Sequence, residues 1–182
     1  VADLDAIIFP GGFGAAKNLC DYAVKGPEME VQADVARVVA EARAAGKPLA
    51  FLCIAPVIAA KLLPGVRITI GADPTTAEHI EALGGRHVEC PVDDFVEDPE
   101  QNVLSAPAYM LGPGIKEVAA GIELLVARLV ELAGGGGIPL SGVGHTLCDI
   151  RYFAQDPIPN YGVNGGGYQV AYYFRSNSPQ TA

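Results

Sequence analysis

A cysteine stands between an apolar strand-like run and a helix-like run in the segment Gly46–Pro56, and this segment points most directly to chemistry. The layout, with Pro56 in the first helical turn, is typical of a nucleophile elbow, which pushes its side chain out of the carboxyl edge of a sheet. At Cys53, the N–H groups of the helix start would favour the thiolate, and the N–H of Ile54 could bind a developing oxyanion. A second interpretation stays open, in which Cys53 is a small buried hydrophobic residue.

A glycine-rich turn follows the first apolar run and contains Gly11, Gly12, Phe13 and Gly14. It lacks the third glycine of the dinucleotide fingerprint, and the chain has no P-loop motif, so neither phosphate-binding mechanism is predicted. Its glycines permit close backbone approach and offer N–H groups beside a ligand. The alternative is a tight turn that only connects a strand to a helix.

Histidine and acidic side chains supply weaker candidates. The imidazole of His87 could relay a proton beside a thiolate, although a histidine at a strand start is more often a surface or satisfied residue. Asp93 and Asp94 are sequence neighbours, so a regular strand would point them to opposite faces, and a solvated acidic turn is the better interpretation. With Asp73 and Glu78 they do not predict a metal site, and we expect no cofactor.

Composition and charge exclude several classes of partner. The chain has 182 residues with 12 Lys and Arg against 21 Asp and Glu, and a net charge of −9 disfavours nucleic acid. No apolar run approaches the roughly 18 residues that span a bilayer, and no segment is typical of a signal peptide. Four widely spaced cysteines predict neither disulfides nor zinc, and we therefore expect the reducing cytoplasm.

The elements around these residues predict an α/β fold with a mostly parallel sheet and helices on both faces. The predicted strands are Ala6–Phe9, Pro48–Cys53, Val66–Ile70, Val88–Val96 and Val103–Ser105. The predicted helices are Glu28–Ala45, Ala55–Leu63, Thr76–Leu83 after a capping box at Thr75, and Ile115–Ala133.

A glycine tract divides the chain into a domain, 1–133, and a tail, 134–182. The tail is almost uncharged and holds 7 of the 13 aromatic residues, which sets it apart from the domain in composition. Its aromatic runs predict a β-hairpin in which Tyr168–Phe174 pairs with Leu147–Phe153.

Residues 1–133 resemble the family of the isoprenoid-biosynthesis glyoxalase ElbB, in the ThiJ/PfpI superfamily. The resemblance is carried, in order and spacing, by Pro10–Asn18, Gly46–Pro48, Cys53–Pro56, Thr69–Gly71, Thr76–Glu78, Cys90–Asp94 and Pro107–Met110. It implies a flavodoxin-like sandwich similar to class I glutamine amidotransferases, a homodimer, and Cys53 as nucleophile. It also implies a histidine near the position of His87. The substrate and oxyanion contacts that we expect with it are Gly11, Gly12, Phe13, Gly14, Ile54, Ala55, Pro107 and Ala108.

The chain departs from the family pattern at its start. Members of that family begin with a strand, a glycine-rich L-S-G-x-G turn and an acidic segment, and this chain opens with Val1 after those features. We therefore expect that an N-terminal part and its catalytic acid are missing. The tail repeats the pattern at Leu140–Gly144, followed by Asp149, so one hypothesis is that the tail supplies the strand and the acid. The alternative is that the tail has no role in the site.

The resemblance to the ElbB family also implies a cofactor-independent glyoxalase-like enzyme, which we expect to be inactive in this form if the acid is absent. Its small 2-oxoaldehyde substrates, glyoxal and methylglyoxal, would be converted to hydroxy acids through attack by Cys53. Two other functions stay open. The same elbow serves amidotransferase-like and protease-like hydrolases, and an oxidisable Cys53 would suit a non-catalytic, redox-responsive binding module.

Overall fold

The computed structural model describes residues 1–112, 114–134 and 172–174. These residues form the strands β1 (Ala6–Phe9), β2 (Leu49–Leu52), β3 (Arg67–Ile68), β4 (Arg86–His87), β5 (Val96–Asp98), β6 (Val103–Ala106) and β7 (Tyr172–Phe174). The main sheet has the order β5-β6-β2-β1-β7, and β3 pairs with β4 beside it. The central strands β6, β2 and β1 are parallel, and β5 and β7 run antiparallel at the edges.

Helices follow most of the strands. They are α1 (Tyr22–Lys25), α2 (Ala33–Ala44), α3 (Pro56–Leu62), α4 (Pro74–Ala82) and α5 (Ile115–Leu132). A π-helical turn spans Ala15–Leu19, and 3-10 turns span Gly26–Glu28 and Ala108–Met110.

The central strands are buried on both faces because side chains alternate across a strand. In β1, Ile7 and Phe9 join the core cluster that contains residues of α2, α3 and α4. Ala6 and Ile8 join the second cluster, which contains the buried residues of α5. The sheet is therefore covered on both sides, and the predicted flavodoxin-like α/β sandwich is confirmed.

Several predicted bounds differ from the structure, among them β3, which spans Arg67–Ile68 rather than Val66–Ile70, and three of the differences have a local reason. The strand predicted at Val88–Val96 begins only at Val96, as β5, and is preceded by a turn, because Pro91 lacks an N–H and its carbonyl accepts from the N–H of Asp94 at 3.3 Å. The helix predicted from Glu28 begins only at Ala33, after the Gln32 side chain caps it. The N-cap of α4 is Asp73 rather than Thr75, since the Asp73 carboxylate accepts from the N–H of Thr76 at 2.8 Å.

The tail contributes one described element, β7, which pairs with β1 through Ile7 and Tyr173. Strand formation at Tyr172–Phe174 falls within the run predicted as one arm of the hairpin. The other arm, Leu147–Phe153, lies outside the described residues, as do Leu140–Gly144 and Asp149.

Candidate active site

Cys53 lies at the carboxyl end of β2, in the turn that leads to α3. Its φ is +58°, a left-handed conformation that side chains other than glycine rarely adopt. The N–H of Cys53 donates to the Ala106 carbonyl at 3.1 Å, which fixes the turn to the neighbouring strand β6. The side chain is half-buried rather than enclosed. This geometry is that of the predicted elbow, and backbone strain of this kind clusters at functional sites.

The glycine-rich turn after β1 packs directly against this elbow. A Cβ placed on Gly11 would lie 2.3 Å from the Leu52 carbonyl oxygen and 2.9 Å from Cys53 Cβ. Gly11 also has a φ of +81°, so both space and conformation require glycine there. Gly12 has a similar φ of +83°, but its Cβ would meet no atom of the described residues within 4 Å.

A third turn, after β6, completes this edge of the sheet. Ala108 has a φ of +46° and begins a short 3-10 turn. Since β2 lies between β6 and β1, the turns that carry Ala108 and Gly11 border the Cys53 turn on either side. Loops at the carboxyl ends of parallel strands are the usual position of binding sites in such sheets.

One backbone donor stands beside the cysteine. The N–H of Ala55 donates to the Leu52 carbonyl at 3.0 Å, whereas no described residue accepts a hydrogen bond from the N–H of Ile54. A donor next to a nucleophile can stabilise charge that develops on a bound carbonyl oxygen. Ala55, Pro107 and Ala108 are buried, which favours a role in shaping the turns. Their assignment as substrate contacts stays a prediction.

His87 lies in β4, outside the main sheet. It pairs with Ile68 of β3, and its N–H donates to a Glu81 carboxylate oxygen at 2.7 Å. Its Nε2 atom is buried and has no hydrogen-bond partner among the described residues. No hydrogen bond of the described residues joins His87 to Cys53. Asp149, the other predicted acid–base residue, lies outside the described residues.

The two other described cysteines are in different environments. Cys20 and Cys90 are buried, and burial raises the pKa of each thiol. At Cys90, burial together with Asp94 and Asp93 raises the pKa to about 11, so this thiol stays protonated at neutral pH. Neither side chain combines access with a strained turn as Cys53 does.

Two aromatic side chains of this sheet edge are exposed. Phe13, in the glycine-rich turn, is 74% exposed, and Tyr109, in the turn after β6, is 62% exposed. Phe13 is among the residues predicted from the sequence. Tyr109 is not, since the exposure of a tyrosine after a short apolar strand cannot be read from its neighbours.

Metal and membrane features are absent from the part of the chain that the structure describes. No group of three or more His, Cys, Asp or Glu side chains there could hold a metal ion. No helix among these residues combines the length and apolar character that a bilayer crossing needs.

Comparison with known proteins places the fold in a class. The fold is that of the class I glutamine amidotransferase-like proteins. The human glutamine amidotransferase-like class 1 domain-containing protein 3, mitochondrial, is 42% identical over 142 residues, which are 73% of this chain and 53% of that protein. The rat ES1 protein homolog, mitochondrial, is 40% identical with the same coverage. The chain thus spans about half the length of these curated relatives.

A solved structure gives the same result. The crystal structure of an isoprenoid biosynthesis protein with an amidotransferase-like domain from Ehrlichia chaffeensis superposes with a TM-score of 0.65 at 30% identity. The match covers 72% of this chain and 61% of that one. No family model matches the sequence.

These comparisons correct the predicted compartment. The human and rat relatives are both named mitochondrial proteins, so the cytoplasmic prediction is wrong. It rested on cysteine spacing, and free thiols show only that a compartment does not impose disulfides. They do not distinguish one reducing compartment from another.

Proposed function

We propose that this domain is a cofactor-independent, glyoxalase-like enzyme that converts 2-oxoaldehydes to 2-hydroxy acids. The observation that carries the proposal is the half-buried Cys53 thiol in a left-handed turn at the carboxyl edge of the sheet. The glycine-rich turn packed against it and the N–H of Ile54, which no described residue accepts from, support the same chemistry. The resemblance to the ElbB family supports it further, as does the isoprenoid biosynthesis protein among the structural neighbours.

The first step is attack of the Cys53 thiolate on the aldehyde carbon. A carbon–sulfur bond forms, the carbonyl π electrons move to oxygen, and a proton on that oxygen gives a hemithioacetal. The N–H of Ile54, the residue after the nucleophile, would stabilise the developing oxyanion.

A proton then moves from the former aldehyde carbon to the neighbouring carbon through an enediol. The product of this step is a 2-hydroxy thioester, and water cleaves it to release the hydroxy acid and the thiol. The overall reaction adds one water and has no net oxidant or reductant, so Cys53 needs only an acid–base partner.

His87 and Asp149 are the proposed acid–base residues. The Nε2 of His87 has no hydrogen-bond partner among the described residues, which leaves one ring nitrogen for proton transfer, while the backbone N–H of His87 donates to Glu81. We expect His87→Gln to lower kcat more than KM if the imidazole moves the proton. Asp149→Asn tests the tail in the same way.

The test is consumption of methylglyoxal by the full chain without glutathione. We expect Cys53→Ala to remove turnover, while Cys90→Ala, the matched loss of a buried thiol, keeps it. Turnover that survives Cys53→Ala would overturn the mechanism, and a folded chain without turnover would overturn the activity for this chain. Light scattering on the same samples tests the homodimer, which is part of the proposal.

A further inference from the structure

The exposed aromatic residues of this domain are concentrated at one place. Phe13 and Tyr109 are the two aromatic members of the exposed large hydrophobic side chains in the described residues. The other rings of the described domain are packed or paired: Phe9 stacks on Phe51 with ring centroids 4.8 Å apart, Tyr22 hydrogen-bonds His79 at 2.8 Å, and Phe95 packs against the core. Among the side chains that the structure describes, Phe13 and Tyr109 are therefore the exposed rings.

The two exceptions border the candidate nucleophile. Phe13 belongs to the turn after β1, whose Gly11 contacts the Cys53 turn. Tyr109 belongs to the turn after β6, whose strand accepts the hydrogen bond from Cys53 at Ala106. Because β2 lies between β1 and β6, the Cys53 turn lies between two turns that each carry an exposed ring, and a ligand attached to the Cys53 sulfur would start from there.

Rings left in water keep apolar surface that an apolar ligand group would cover, and aromatic pairs gain further from edge or offset contact. Glyoxal offers no such group, and methylglyoxal offers one methyl. An aryl group on the ketone carbon of a 2-oxoaldehyde would stand next to the reacting carbon and within the region that the two turns border.

We propose that the Cys53 site is selective for aryl 2-oxoaldehydes, with Phe13 and Tyr109 as its specificity-determining residues. The proposal rests on the proposed function and names its substrate class. Phenylglyoxal plus water would give mandelic acid by the same balanced steps. A second copy of the chain is the less favoured occupant, since a stable interface needs roughly 800 Å² per partner and the other exposed apolar residues lie on α1 and α5.

The first experiment compares kcat/KM for phenylglyoxal and methylglyoxal. We expect the full chain to prefer phenylglyoxal by about tenfold, and Phe13→Ala and Tyr109→Ala each to lower that ratio at least about fivefold. Tyr109→Phe keeps the ring and should keep the ratio. Val24→Ala, which truncates an exposed residue of α1, is the control. It should leave kcat/KM unchanged for both phenylglyoxal and methylglyoxal. An unchanged ratio in both alanine variants overturns the proposal.

A second experiment does not require turnover. Cys53 is alkylated with 2-bromoacetophenone or with bromoacetone, where sulfur displaces bromide, and each rate is divided by the rate with N-acetylcysteine. The aryl site is supported if the parent chain prefers the aryl reagent and if Phe13→Ala and Tyr109→Ala each remove that preference. This result would hold even if no aldehyde is consumed. The missing aldehyde consumption would then refute the proposed function alone. Aldehyde turnover without aryl preference refutes the aryl site alone. If the alanine variants instead change the molar mass in light scattering, a second copy covers the rings, and the aryl site is overturned.

Discussion

Cys53 and Cys90 are both cysteines, but they lie in two contrasting parts of the domain. Cys53 ends a central parallel strand, has a left-handed backbone and stays half-buried. Cys90 lies in an irregular turn before Pro91, is 6% exposed and faces the negative charges of Asp93 and Asp94. Burial and these charges raise the pKa of Cys90 to about 11, which keeps its thiol protonated.

The contrast shows that the position of a cysteine in the backbone, and not its type alone, sets the exposure of its thiol. The elbow turns the Cys53 side chain away from the sheet, beside an N–H group that no described residue uses. Cys90 is buried instead, beside the carboxylates of Asp93 and Asp94.

The largest expected effect comes from Gly11→Ala, which acts on the elbow itself. The new methyl group would overlap the Leu52 carbonyl oxygen, and the left-handed backbone adds further strain. We expect a loss of about 3 kcal/mol in the free energy of unfolding, the sum of about 2 from overpacking and about 1 from the conformation. Chemical denaturation of the full chain measures it.

Gly12→Ala is the matched control for Gly11→Ala. Its φ is nearly the same, but open space surrounds the added methyl group among the described residues, so only about 1 kcal/mol should be lost. Equal losses in the two variants would contradict the view that the glycine turn and the Cys53 turn are packed together.

The sequence predicts the elbow because its signals are local. An apolar run, a cysteine and a proline in the first helical turn lie within Gly46–Pro56, and the structure has β2 and α3 on the two sides of Cys53. The catalytic role of Cys53 stays a prediction. The strand at Val88–Val96 was predicted from its apolar residues, and the turn at Pro91 shows that a missing N–H outweighs them.

What the sequence does not predict depends on contacts between distant residues. The close approach of Gly11 to Cys53 joins positions 42 residues apart, and no periodicity encodes it. The pairing of β7 with β1 joins the two ends of the chain. Exposure of Tyr109 depends on the turn after β6, whose left-handed Ala108 has no sequence signature.

The second prediction tests the contrast at the thiols directly. With iodoacetamide at pH 8, a thiol of pKa 9 is about one tenth thiolate, and one of pKa about 11 is about one thousandth, so Cys90 should react on the order of a hundredfold more slowly than an ordinary thiol. Cys53 has access to solvent and should be alkylated first. Peptide mapping reads each cysteine separately. In denaturant, Cys53 and Cys90 should be alkylated at equal rates. Equal alkylation rates in the folded protein as well would contradict the difference proposed between the two thiols.

The third prediction follows the Cys90 thiol to alkaline pH. Its pKa is raised on folding, from about 9 to about 11, so the stability that the protonated thiol contributes is complete below pH 9 and is lost as the pH rises towards 11. We expect the unfolding free energy of the parent chain to fall by about 2 kcal/mol more than that of Cys90→Ala over this window. If the unfolding free energies of the two proteins changed equally with pH, the pKa of Cys90 would be the same in the folded and the unfolded chain, and the prediction would be wrong.

The smallest effect is expected from Asp94→Asn, which removes the larger of the two charge contributions at Cys90 and leaves its burial intact. The Asp94 side chain accepts from the N–H of Phe95 at 2.8 Å, and the asparagine oxygen can keep that bond. Because burial is the main cause of the raised pKa, alkylation of Cys90 should accelerate only about two- to threefold at low salt, and less at 0.5 M salt, where the charge is screened. Asp93→Asn should act more weakly still. A tenfold acceleration in Asp94→Asn would mean that charge rather than burial separates Cys90 from Cys53.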